Sequence, residues 1–279
     1  MFDPATTPER MAAHHPTLLG SAVPFFNAFM AAQARHGEEP LFPAVRACAG
    51  GGAPIPAEVH EDLHRALGVS GVTGSWGLTE FPIATSCTPE DPRDVLALTV
   101  GRPSPGVSIR AVLADGTDAG IDAEGELVLR GDQQFLGYID PALDAHAYVD
   151  GDWFRTGDLG VVQSDGNIRL TGRIKDIIIR NAENISALEV EEALFRHADV
   201  LDAAVIGLPD SRTGERVCAV VVMREGAVPL TIEALRDHCR ALGLAIQKCP
   251  EQLELATAIP RNAMGKTLKQ PLIAEYRTT

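Results

Sequence analysis

The stretch Thr156-Gly157-Asp158-Leu159-Gly160, followed after Asp165-Gly166 by Gly172-Arg173-Ile174-Lys175-Asp176-Ile177-Ile178-Ile179-Arg180-Asn181-Ala182-Glu183-Asn184-Ile185-Ser186, decides how this chain is read. It sets a carboxylate, Asp158, upstream of two cations, Arg173 and Lys175, with an acidic residue, Asp176, at the end of the cation pair. A carboxylate accepts hydrogen bonds from hydroxyls and a guanidinium pairs with anions. The combination suits a polar, hydroxyl-bearing, anionic ligand at the junction of two structural units.

Downstream of Asp176 the pattern predicts a strand over 177–179 and a helix from Ala187 to about His197. Ser186 and Glu189 stand at capping-box spacing at its start. Strands at 203–207 and 217–223, a helix over 231–242 and a strand near 253–258 complete a β-α-β-β-α-β order. Upstream, residues 101–172 carry short alternating runs punctuated by Asp115-Gly116 and Asp165-Gly166, dipeptides that favour tight hairpins. Further upstream, apolar residues at 59, 63, 66 and 67 mark one face of a helix, with Pro56 before it and Gly68 after it, between apolar runs at 44–48 and 69–72. The fold class expected is α/β. Residues 1–100 form a partial layered α/β domain, 101–174 a small antiparallel β-barrel and 175–279 a small β-α-β-β-α-β C-terminal domain.

At 279 residues the chain has room for about two domains with a sizeable core. A formal charge of −14 argues against nucleic acid or an anionic membrane surface as a partner. The five cysteines lack Cys-x-x-Cys spacing, so they read as reduced thiols, not as a disulfide framework or a metal site. His60 and His64, four apart on one helix, have no third ligand in the pattern. There is no secretory leader pattern and no stretch apolar enough to span a bilayer, which leads to the expectation of a cytoplasmic protein.

Three further segments carry chemistry. In Gly74-Ser75-Trp76-Gly77-Leu78-Thr79-Glu80, an aromatic ring can stack on a base, Thr79 can bond a phosphate and Glu80 can hold Mg²⁺ through a hard oxygen. Taken alone, the heptapeptide reads first as a strand-to-loop turn with a packed tryptophan and a solvated glutamate. The run Gly50-Gly51-Gly52-Ala53-Pro54 lets a backbone approach a ligand closely, and it serves as well as a flexible strand end. Finally, Arg261-Asn262-Ala263-Met264-Gly265-Lys266-Thr267 sets a lysine after a glycine on a loop. It is not a phosphate-binding P-loop, because Pro260 stands where that motif requires glycine.

Together, in this order, these segments resemble the adenylate-forming (AMP-binding) acyl-CoA synthetases, over essentially the whole chain from Phe2 to Lys269. The first stretch resembles the joint between that family's large and small domains. The resemblance implies that Gly51, Gly52, Ala53, Trp76 and Gly77 line the nucleotide and acyl pockets, and that Asp158 and Arg173 hold the nucleotide, with Asp158 on the ribose hydroxyls. It implies Glu80 as the Mg²⁺ ligand, Thr79 and Glu80 beside the phosphates, Lys175 and Asp176 as hinge, and Lys266 as the lysine of adenylation. The cofactors and substrates implied are ATP (released as AMP), Mg²⁺, coenzyme A and a carboxylic acid.

Two departures accompany it. No Ser/Thr/Gly-rich loop ending Pro-Lys-Gly occurs in these residues, and Ala182 stands where the family has glycine before Glu-Asn. The expectation is therefore the C-terminal half of a carboxylic acid–CoA ligase, truncated or split from a separately encoded N-terminal half and inactive alone. The alternative is a non-catalytic nucleotide-binding remnant.

Overall fold

The computed structural model describes residues 2–51, 55–262 and 265–277. The chain divides into two compact units, residues 1–156 with 160–170 and residues 157–159 with 171–279.

In the first unit, α1 (Thr7–Ala12) leads into β1 (Leu18–Ser21), α2 (Val23–His36), β2 (Ala47–Gly51), α3 (Ala57–Leu67) and β3 (Val72–Leu78). The strands β1, β2 and β3 lie parallel in that order, each joined to the next by a helix. Parallel neighbours need such crossovers, and their strands are apolar because helices cover them. Leu19, Cys48 and Val72 are accordingly fully buried, packed with Phe26 and Phe29 of α2 and Leu63 of α3. Gly68 ends α3 in the left-handed conformation (φ +72°), as the sequence pattern requires.

Beyond β3 the sheet turns antiparallel through β4 (Phe81–Ser86), and after α4 (Arg93–Leu98) through β5 (Arg102–Pro103). The sequence pattern had not predicted β4, because Pro82 lies inside it. Consequently Gly74–Leu78, which read from the sequence as a turn after a strand, are themselves strand residues.

A second sheet is antiparallel: β6 (Val107–Val112), β7 (Glu124–Gly131), β8 (Tyr148–Val149), β9 (Trp153–Val162) and β10 (Ile168–Arg173), in the order β10-β9-β7-β6 with β8 on β9. Among the described residues its end strands are not paired with each other, so it is a half-barrel. Leu127, Leu129 and Ile168 pack with Trp76 and Phe81 of the first sheet in one core. The guanidinium carbons of Arg110 and Arg130 lie 4.6 and 4.9 Å from the centre of the Trp153 ring.

The second unit takes in the middle of β9 and the end of β10, then a 3₁₀ turn at Ile174–Asp176, β11 (Ile177–Arg180), β12 (Glu183–Ser186), α5 (Ala187–Phe195), β13 (Val200–Asp210), β14 (Gly214–Met223), α6 (Ile232–Ala241), β15 (Gln252–Leu255) and α7 (Lys269–Tyr276). Its sheet runs β12-β11-β14-β13, with β15 parallel to β14. Ser186 caps α5 by accepting the Glu189 N–H. The long β13–β14 hairpin is apolar on both faces: Val205, Val217, Ala219 and Val221 pack with the α5 and α6 side, while Ile206, Leu208, Val220 and Leu272 of α7 form a separate cluster. The expected β-α-β-β-α-β order is present with two additions, β12 and α7.

His60 is buried, and its Nδ1 accepts the Val72 N–H at 3.2 Å, which only an unprotonated nitrogen can do. Burial pushes its pKa down from 6.5 to about 4. Between those values the unfolded chain binds a proton that the folded chain refuses, so this contribution is complete above the unfolded pKa and is lost as pH falls toward the folded one. At most about 3 kcal/mol should vanish between neutral pH and pH 4. Urea titrations across that window should show the loss, with a flatter slope in His60→Gln. The other helix histidine, His64, bonds the Val69 carbonyl at 2.9 Å. Among the described residues, no group of three metal-ligating side chains occurs.

Candidate functional site

The β3–β4 hairpin is built around glycine. A Cβ on Gly77 would lie 2.3 Å from the Pro82 carbonyl oxygen, so only glycine lets the two strands meet there. Gly51, at the end of β2, is similarly close to Ser75, whose Oγ would lie 2.8 Å from an added Cβ. Trp76 points into the core and is 7% exposed. Its ring is thus committed to packing and does not stand open for stacking. Thr79 is exposed and Glu80 half-buried at the turn. Glu80 is held twice: its Oε1 accepts the Tyr138 hydroxyl at 2.9 Å and its carbonyl accepts the Phe135 N–H at 2.9 Å. Gly52 and Ala53 lie outside the described residues.

In the second unit, Asp158 on β9 and Arg173 on β10 form an ion pair, Arg173 Nε donating to Asp158 Oδ1 at 2.5 Å. The carboxylate is buried, with 8% of its side chain exposed, whereas 42% of the arginine is exposed. A buried carboxylate oriented by a guanidinium is a rigid acceptor, and the exposed edge of the arginine remains an anion donor. Lys175 and Asp176 follow on the 3₁₀ turn, Lys175 exposed and Asp176 half-buried. The strand end is tied to the next helix by the Ser186 hydroxyl, which donates to the Thr171 carbonyl at 2.6 Å.

The two-residue turn between β11 and β12 is Asn181-Ala182, with φ of +49° and +62°. This conformation favours Asn-Gly, and alanine there costs about 1 kcal/mol. Ala182→Gly should therefore raise the unit's stability by about 1 kcal/mol, visible as an upward shift of a few degrees in a melting curve.

The lysine loop is closed by its own backbone. Arg261 bridges Thr267, the Asn262 N–H donates to the Lys266 carbonyl at 2.9 Å, and the Lys266 N–H donates to Asn262 Oδ1 at 2.9 Å. Arg261 anchors it, donating to both oxygens of Asp202 on β13 at 2.8 and 2.9 Å and to the Gly265 carbonyl at 2.8 Å. The Lys266 side chain is exposed. Behind the loop, Lys269 at the start of α7 pairs with Glu191 of α5 at 2.9 Å. Burial pushes that carboxylate's pKa up, opposed by Lys269 and the Val205 N–H.

Sequence reasoning missed Tyr138, Asp202 and Glu191. Each lies far along the chain from its partner, and no local spacing marks it. The residues it did single out fall in two places: Gly51, Trp76, Gly77, Thr79 and Glu80 in the first unit, and Asp158, Arg173, Lys175, Asp176 and Lys266 in the second.

Comparison with known proteins adds identity of family. The profile of the AMP-binding enzyme family matches residues 1–139, and that of the AMP-binding enzyme C-terminal domain matches residues 189–266. A sulfoacetate–CoA ligase of Cupriavidus necator is 38% identical over 240 residues, which is 85% of this chain and 46% of that protein. A salicyl-AMP ligase / salicyl-S-ArCP synthetase of Mycobacterium tuberculosis is 35% identical over 240 residues, 85% of this chain and 42% of its own length. The crystal structure of ATP-bound MatB from Rhodopseudomonas palustris matches with a TM-score of 0.88 at 28% identity, over 99% of this chain and 54% of that one. The chain thus spans about half the length of the relatives it matches.

Proposed function

The chain belongs to the AMP-binding enzymes of the adenylate-forming superfamily, and on that premise we propose that it supplies the nucleotide-holding and lysine-bearing part of a carboxylic acid–CoA ligase. In the reaction proposed, a carboxylate oxygen attacks the α-phosphorus of ATP and the bond to the β-phosphate oxygen breaks, releasing pyrophosphate. The sulfur of coenzyme A, losing its proton, then attacks the acyl carbon of the adenylate and AMP leaves. The observation that carries this reading is the Asp158–Arg173 pair, a buried acceptor for a ribose diol beside an anion donor.

Lys266, on its braced loop, provides positive charge for the α-phosphate as negative charge develops there. Thr79 bonds a phosphate, while Gly51 and Gly77 shape a wall of the pocket, backed by the packed Trp76. Lys175 and Asp176 are the hinge. Glu80 fits a nucleotide-bound Mg²⁺: it is a hard oxygen ligand, no cluster of three or more metal-ligating side chains occurs among the described residues, and Mg²⁺ is commonly held by one or two carboxylates plus substrate phosphates. When bound, the ion neutralises phosphate charge. The methyl of Ala182 stands at the turn that resembles the family's thioester-forming loop and should slow thiol entry there. Five free, buried cysteines suit a reducing compartment, and we place the chain in the cytoplasm.

No Ser/Thr/Gly-rich phosphate loop occurs in these residues, and ATP turnover is the measurement that separates this reading from a second one, nucleotide binding without turnover. The 279-residue chain should bind AMP in a calorimeter yet release no pyrophosphate above background with ATP, Mg²⁺ and a panel of carboxylic acids. A separately encoded half bearing the loop should restore release under the first reading and not under the second. Robust turnover by the pure chain would sink the expectation of a missing part, and failure to bind AMP would sink both readings.

A further inference from the structure

After β7 ends at Gly131, the chain runs without helix or strand until Asp144 and straps the β3–β4 turn at three points. Gln133 Oε1 accepts the Ile83 N–H at 3.1 Å, the Phe135 N–H donates to the Glu80 carbonyl at 2.9 Å, and the Tyr138 hydroxyl donates to Glu80 Oε1 at 2.9 Å. The strap is itself fixed. The Phe135 ring packs edge-on to Tyr138 at 4.8 Å and to the buried Phe154 of β9 at 5.4 Å. The Tyr138 N–H donates to Asp144 Oδ1 at 3.1 Å, and a Cβ on Gly137 would come within 2.8 Å of the other Asp144 oxygen.

We propose that Tyr138 is a positioning residue for Glu80: its hydroxyl takes Oε1 and fixes the carboxylate so that Oε2 is the oxygen presented to a nucleotide-bound divalent cation. This rests on the reading of Glu80 as the Mg²⁺ ligand and adds the group that orients it. A carboxylate free to rotate loses torsional entropy when it ligates a cation, whereas one already held by a rigid donor does not. Removal of such an orienting partner commonly costs metal affinity by about tenfold or more. Phenylalanine at 138 would keep the ring contacts and delete only the hydroxyl.

The test measures ATP binding to the 279-residue chain by calorimetry across a Mg²⁺ titration, for the wild type, Tyr138→Phe, Glu80→Gln and the double variant, with metal-free AMP binding as control. Tyr138→Phe should raise the Mg²⁺ midpoint about tenfold, leave AMP binding and the melting temperature unchanged, and have no added effect once Glu80 is Gln. If Glu80→Gln leaves the Mg²⁺ dependence intact, or if the wild type shows none, the metal reading fails and this inference with it. If Glu80→Gln removes the dependence while Tyr138→Phe changes nothing, the metal reading stands and the positioning role is overturned. A Tyr138→Phe effect of equal size in the Glu80→Gln background overturns it too.

Discussion

Lys266→Ala should lower acyl-adenylate formation by about 100- to 1,000-fold in an adenylating assembly that contains this chain, the loss expected when one preorganised donor is removed from a developing oxyanion. Thioester formation from a preformed acyl-adenylate should stay within about twofold, because the charge acts at the first transition state and not the second. The loop geometry makes this a clean test. The backbone hydrogen bonds and the Arg261–Asp202 clamp hold the loop without help from the lysine side chain, which is exposed. The variant should therefore melt like the wild type. Rates are to be read separately, pyrophosphate release for the first step and AMP release on adding thiol for the second. Equal losses in both steps would show that Lys266 has another role.

Asp158→Ala should weaken AMP binding by about 10- to 100-fold, since hydrogen bonds to a charged acceptor are worth about 1.5–3 kcal/mol. Both half-reactions should suffer, which separates this residue from Lys266. The substitution also removes the partner of Arg173, 42% of which is exposed and open to water, and a melting curve beside the calorimetry separates any loss of stability from the loss of binding. Calorimetry with AMP and with 2′-deoxy-AMP decides the matter: the wild type should discriminate between them and the variant should not. Undiminished discrimination in Asp158→Ala would remove the carboxylate from the ribose.

Much of this was legible in the chain itself. In the second unit β11, β13, β14, β15, α5 and α6 announced themselves by apolar runs and by the Ser186–Glu189 cap, while β12 and the ion pair between Asp158 and Arg173, two residues that the resemblance sets on one nucleotide, did not. Where the reading fell short, the cause was tertiary. Pro82 disguised β4, which pairs with β3 over Trp76 and thereby buries the ring expected to be available for stacking. Pro271 masked α7, whose Leu272 is helical because the outer face of β13 and β14 needs a cover. Tyr138 is 58 residues from Glu80 in sequence, and no periodicity connects such a pair. The left-handed backbone at Ala182 was equally hidden, because alanine is not the residue that a turn of that kind normally displays.

The two tryptophans offer an experimental asymmetry. Trp76 sits in the core of the first unit and Trp153 beside two arginines of the same unit, while the second unit has no indole and Tyr276 is its one tyrosine. Ultraviolet-excited emission is therefore a private channel for residues 1–156 and 160–170, whereas backbone dichroism sums the whole polypeptide. Plotting both signals against denaturant would separate the disappearance of one unit from the other without cutting or labelling the chain. A tryptophan introduced at exposed Leu242 would give the silent part a voice of its own.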